Sequence, residues 1–181
     1  MIKLGRIKDH FFDEINNDDD GYDKYLEDLQ ILRHEAEYYI DAYYEQGMDI
    51  KDLFEHIWHS STEILNGLEV QVVIDSNDAI HISSGSAGYV DFQIDPVGMK
   101  LPIKCWIHTH PFGSAYFSGT DIRTVRLWEP IMETAYVLGG DGHYGFWNQK
   151  EPNQLTVYRN HEYERTQVWS APAWMKGEEE E

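Results

Sequence analysis

Within the segment WIHTHPFGSAYFSGTD, residues 106–121, four side chains have the types and spacing for hydrolytic chemistry: His108, His110, Ser118 and Asp121. On a strand, residues i and i+2 project from one face, so His108 and His110 can present two imidazoles to one point at a strand end. Asp121, eleven residues after His110 and at the beginning of a predicted helix, can return to that point as a third ligand. Three N/O ligands with an open position are what a catalytic zinc site requires. A structural zinc site is normally closed by four protein ligands, often cysteines, and this chain has a single cysteine. Hydrolysis at an open site uses the ion to lower the pKa of a water and polarise a carbonyl, with a carboxylate to accept and redeliver the proton. A donor for the oxyanion is also needed, and Ser118, three residues before Asp121, is the hydroxyl candidate.

Other residues of these chemical types have plainer readings. Cys105 lies on the strand parity opposite to the histidines and reads as a small buried hydrophobe. His56 and His59, within EHIWH, are three apart, whereas a zinc-binding helix motif needs i and i+4, so both read as surface or packing residues. His143 reads as structural. The stretch Asn16–Glu27 sets Asn16, Asp18, Asp20, Gly21 and Glu27 at calcium-loop positions, but the first position is Asn and Asp23 falls where a hydrophobic residue belongs. A solvated acidic turn ahead of a helix is the favoured reading there.

The elements that must position the site follow from periodicity. Tyr25, Leu29, Leu32, Ala36, Tyr39, Ile40 and Tyr43 recur at steps of three and four, which predicts an amphipathic helix ended by Gly47. Asp49 is the expected N-cap of a second helix through Ile50, Leu53, Phe54, Ile57 and Trp58, forming a hairpin with the first. LEVQVVID and AIHIS predict a β-hairpin across Ser76–Asp78, Ser83–Gly88 a loop, and YVDFQI a short strand before the turn DPVGMK. LPIKCWIHTH is the strand that carries the histidines. A helix is expected to start near Thr120 or Asp121 and to end or bend at Pro130. TAYVLGG and HYGFWNQ flank a Gly-Asp-Gly turn as a further hairpin, QLTVYRN adds a strand, and from His161 onward the periodicity is weak.

His-Thr-His, Pro111, Ser118 and Asp121 at these intervals resemble the signature of the JAMM (MPN+) zinc metalloproteases, in the compact form of the family. The resemblance covers about residues 49–159. It implies an α/β, deaminase-like fold with a mixed, curved sheet flanked by helices. Residues 1–48 would then form an N-terminal helical extension, 49–160 the catalytic domain and 161–181 a C-terminal tail. It further implies that His108, His110 and Asp121 bind Zn2+, that Ser118 stabilises the intermediate, and that an upstream glutamate is the general base. Glu63 is placed in that role because it follows the predicted helix end near Trp58–Ser61, opens EILNGLEV and precedes His108 by 45 residues. Glu69, inside the strand-like LEVQVVID, stays open as the alternative. The implied activity is cleavage of peptide or isopeptide bonds, with ubiquitin-like proteins, sulfur-carrier proteins or other peptides as substrates. A non-catalytic MPN-type scaffold is the rival reading.

Composition sets the frame for this reading. Acidic residues number 33 against 14 basic ones, for a formal charge of −19, which opposes binding to nucleic-acid phosphates. A hydrophobic fraction of 41% within 181 residues supplies one real core, against a disordered chain. One cysteine excludes an intrachain disulfide and fits a reducing compartment. No sustained apolar run suggests a signal peptide or membrane span, so a cytoplasmic protein without membrane partners is expected.

Overall fold

Alternating β-branched and aromatic residues over the chain's second half favour a pleated sheet, and the apolar stripes of the first half must cover one of its faces. A computed structural model of the chain describes residues 19–47, 49–88, 90, 92 and 98–168. Helix α1 (Asp19–Tyr44) buries Ala36 and Ile40, and Gly47, at φ +72°, supplies the left-handed turn that ends it. Asp49 caps α2 (Ile50–His59) by accepting from the Lys51 amide at 3.1 Å, and Leu53, Phe54 and Ile57 face inward. The chain then continues as a π-helical turn, Ser60–Ile64.

Seven strands follow: β1 (Val70–Ile74), β2 (Ile80–Ser84), β3 (Ile103–Thr109), β4 (Met132–Leu138), β5 (His143–Asn148), β6 (Gln154–Arg159) and β7 (Glu162–Val168). They form one sheet in the order β2-β1-β3-β4-β5-β6-β7. All neighbours are antiparallel except β3 and β4, which are parallel with His108 opposite Val137. A parallel pair needs a crossover, and α3 (Gly119–Trp128) with the 3₁₀ turn Glu129–Ile131 provides it. The fold is therefore mixed α/β, with a mixed sheet flanked by helices.

Strand parity divides the core. Cys105 and Ile107 of β3 join Ile40, Leu53 and Ile57 beneath α1 and α2. Trp106 joins Met132, Val137 and Val125 on the face covered by α3. His108, two residues after Trp106, lies on that second face.

Some expectations need correction. The segment from His161 is not simply a tail: Glu162–Val168 pairs with β6 as the seventh strand. The third helix begins at Gly119, earlier than expected, because Ser118 is its cap. Ser83 and Ser84 belong to β2 rather than to a loop. Most of YVDFQI, half of DPVGMK, and Asn16 and Asp18 of the acidic stretch lie outside the described residues, while Asp19–Glu27 is helical, which a calcium loop would not be. Among the described residues no helix is long and apolar enough to cross a membrane.

Candidate metal centre

β3 carries His108 to the end of the sheet, where its side chain is 1% exposed. His110 follows just beyond, its amide donating to the Leu138 carbonyl at 2.8 Å and so extending the parallel pairing by one step. α3 starts across the same end. There Ser118 Oγ accepts from the Asp121 amide at 3.2 Å, and Asp121 Oδ2 accepts from the Ser118 amide at 2.6 Å, a reciprocal capping box. The box fixes the Asp121 carboxylate, which lies 3.1 Å from His108 Nε2 through Oδ1 and 3.5 Å from His110 Nε2 through Oδ2.

One ligand atom from each of His108, His110 and Asp121 falls within 4.8 Å of the others. Ligand atoms about 2.0–2.2 Å from a tetrahedral zinc stand roughly 3.3–3.6 Å apart, so the two imidazole–carboxylate separations are close to metal-binding geometry. Burial pushes the His108 imidazole pKa down, against the upward pull of Asp121, which favours the neutral ring that binds metals. Burial opposes ionisation of Asp121 too, but the two adjacent imidazoles and the Ser118 capping bond hold its carboxyl well below the usual range. His110 is moved by burial downward and by Asp121 and Glu69 upward, and the upward pull wins.

Among the described residues neither buried ring nitrogen of His108 makes a well-formed hydrogen bond, although Nε2 stands 3.1 Å from Asp121 Oδ1. A buried imidazole in that state is costly, and a cation between Nε2 and the carboxylate removes the cost. The donor set of two imidazoles and one carboxylate is therefore one that a divalent transition metal fits.

No protein-family model matches the chain, and no curated protein or solved structure matches it either. The chemistry of the centre thus rests on its own geometry.

A cavity of about 260 Å³ opens over the group and is lined by Glu69, His108, His110, Ser118 and Asp121 together. Glu69, 6% exposed, is a second buried carboxylate in it beside Asp121. Burial raises the Glu69 pKa, and His110 lowers it less than burial and Asp121 raise it. Glu63, placed beside the site by the sequence reading, is exposed on the π-helical turn and does not line the cavity. The helix persists through Ile64 and the strand starts only at Val70, so the residue that precedes the strand is Glu69. Its amide donates to Ser86 at 2.8 Å and its carbonyl accepts from Gly85 at 2.9 Å, which seats it beside the β1–β2 ladder.

A second set of residues, invisible to motif reasoning, ties Glu69 to the histidine strand. Thr109, between the two histidines, points to the opposite face and is fully buried. Its Oγ1 accepts from the Val70 amide at 2.9 Å and donates to Ser61 Oγ at 2.9 Å, and Ser61 Oγ donates to the Leu68 carbonyl at 2.6 Å. The backbone on both sides of Glu69 is thereby hydrogen-bonded into the centre of the His-Thr-His run. A hydroxyl at strand parity opposite to the histidines was the available signal, since such a group must find a partner when buried. Aromatic rings complete the surroundings: Trp106 stacks on His108 with centroids 4.4 Å apart and donates from Nε1 to Gln71 at 3.1 Å. Phe112 and Tyr116 stand exposed at the rim.

Proposed function

We propose that this chain is a zinc-dependent hydrolase of peptide or isopeptide bonds, of the kind its His-Thr-His, Ser118 and Asp121 signature resembles, with its sheet corresponding to the JAMM/MPN domain. The observation that carries the reading is a buried carboxylate, Glu69, sharing one cavity with a three-residue ligand group of which it is not a member. A metal-binding site with an added carboxylate has the parts for proton transfer as well as for holding an ion.

His108, His110 and Asp121 would hold the ion. When bound, zinc supplies a water of lowered pKa and polarises a carbonyl. Glu69 takes the proton from the attacking water, a task suited to a carboxyl whose pKa burial has raised. It then returns that proton to the leaving amine. Ser118 accepts a hydrogen bond from the Asp121 amide, so its own O–H remains a donor for the oxyanion formed at the scissile carbonyl. Phe112 and Tyr116 at the rim give an extended polypeptide apolar surface to lie against. Ubiquitin-like proteins are the substrate class the family resemblance suggests.

The test is elemental analysis of the purified protein combined with cleavage of ubiquitin-like fusions, with and without chelator. About one zinc per chain and chelator-sensitive cleavage are expected. Protein that takes up no divalent metal overturns the reading, and one that binds zinc yet cleaves no fusion or peptide leaves a scaffold in its place.

A further inference from the structure

A second cavity, of about 150 Å³, lies on the other side of the sheet from the metal group, between α2 and the tips of two hairpins. Its walls are aromatic: Phe54 and Trp58 from α2, Tyr144 from β5, and His161 from the β6–β7 turn. Phe54 and Tyr144 meet edge to face with centroids 5.1 Å apart, and His161 lies 5.7 Å from Tyr144. One carboxylate, Glu55, and a second imidazole, His143, join them, and no lysine or arginine lines the cavity. Glu55 makes no hydrogen bond or ion pair among the described residues. Glu164 nearby, by contrast, is already engaged by Arg165 at 2.9 Å and faces His143 at 3.7 Å.

The turn that supplies His161 is held in a demanding conformation. Asn160 and His161 have φ of +47° and +67°, where glycine at the second position would be at ease. Asn160 reaches across to Gly142, whose carbonyl accepts from the Asn160 amide at 2.9 Å and whose missing side chain leaves room for the Asn160 amide group. The two hairpin tips are thus braced against each other, and the histidine ring is presented to the cavity rather than replaced by glycine.

We propose that this cavity is a docking site for one cationic side chain, arginine or lysine, of a polypeptide partner. Its size suits a single long side chain, the half-buried Trp58 ring offers a surface for a cation and its aliphatic stem, and Glu55 supplies the opposite charge. A chain of net charge −19 adds a field of the same sign. Gly139, which lines the cavity, packs against the loop over the metal group, where an added side chain would strike Ala115 and Ser114. A partner held here therefore sits next to the backbone that shapes the cleft, but the docking itself stands whether or not the chain hydrolyses anything.

The experiment uses the full chain labelled with 5-fluorotryptophan, in chelator, with the Trp58 resonance assigned through Trp58→Phe. Blocked Gly-Arg-Gly, Gly-Lys-Gly and Gly-citrulline-Gly are titrated in turn. A saturable shift of the Trp58 signal with at least one cationic peptide is expected, with Kd in the millimolar range, roughly 1–10 mM for so small a ligand. Binding should weaken in high salt and fall about two- to fivefold in Glu55→Gln, an exposed change that leaves the core untouched. An equal shift with citrulline would show an apolar groove without charge selection and overturn the proposal. So would the absence of any Trp58 shift with both cationic peptides, or undiminished binding in Glu55→Gln.

Discussion

Thr109→Val removes one hydroxyl while keeping the branched shape that fits the strand, so its effect isolates the Val70–Thr109–Ser61–Leu68 chain of hydrogen bonds. After the change, Ser61 can still donate to Leu68, but the Val70 amide loses its acceptor in a position that is 1% exposed. A buried donor left without a partner costs about 1–3 kcal/mol. Stability should therefore drop by roughly 2 kcal/mol, which in a domain of this size lowers Tm by about 4–8 °C. Thr109→Ser keeps the hydroxyl and sacrifices only a methyl group, so it should keep most of the stability that Thr109→Val loses. Urea and thermal unfolding in chelator separate this effect from any stabilisation by bound metal. The same change loosens the backbone that seats Glu69, and a displacement of about 1 Å at a catalytic group can cost on the order of 10²-fold in rate. Zinc content should stay at the parent level, because none of the three ligands is altered. Equal stability of Thr109→Val, Thr109→Ser and the parent would refute the inference that these bonds are structural. A rate loss matched by zinc loss would refute the claim that they act through Glu69.

His110→Ala should reduce zinc content sharply, since three ligands leave no redundancy, and unchanged elemental analysis would remove His110 from the centre. Glu69→Gln should retain zinc while turnover falls about 10²–10⁴-fold, whereas Glu63→Gln should leave both unchanged; the reverse pattern in a cleavage assay would restore Glu63 as the base. Asp75, 1% exposed, is disfavoured as an anion by burial, but accepts from the Asn77, Ala79 and Lys100 amides at 2.8–2.9 Å, which hold its carboxyl below its ordinary pKa. A lowered folded-state pKa contributes stability that is complete above the unfolded value, about 3.9, and is lost as pH falls through the folded one. Asp75→Asn should thus be destabilised most at neutral pH, with the gap to the parent narrowing below about pH 4 in urea unfolding, and a gap independent of pH would contradict the assignment.

The ligand group was legible because each of its members is placed by a local rule. Strand parity puts His108 on one face, and the serine-to-aspartate interval is itself a helix-start signal that returns Asp121 to the strand end. The first two helices were legible for a similar reason, an apolar stripe bounded by Gly47 and Asp49. Where long-range contacts decide, the sequence offers less. The choice between Glu63 and Glu69 depends on how far α2 runs on as a π-helical turn and on pairing of Glu69 with Gly85 and Ser86, neither of which has a periodic signature. β7 escaped detection because all of its residues are exposed, so no apolar alternation marks a buried face. Its turn escaped as well, with His161 standing where a hairpin would advertise itself by glycine.

Asp121 explains why the centre is tied so closely to the fold. One of its oxygens closes the capping box with the Ser118 amide while the other faces His108, so the carboxylate is oriented by helix formation before any ion arrives. His110 is fixed in turn by pairing with Leu138, the last residue of the parallel strand that α3 exists to connect. The crossover thus delivers both partners of the metal group at once: the strand whose neighbour steadies His110, and the helix whose first turn holds Asp121. Glu69 reaches the same strand by another route, since the hydroxyls of Thr109 and Ser61 bond the backbone on either side of it. In the proposed hydrolase, Glu69 would keep its place in the cavity through hydroxyls on the opposite face of the histidine strand, without occupying a ligand position. Such a division of roles would suit a site in which one group handles protons and three others hold a metal.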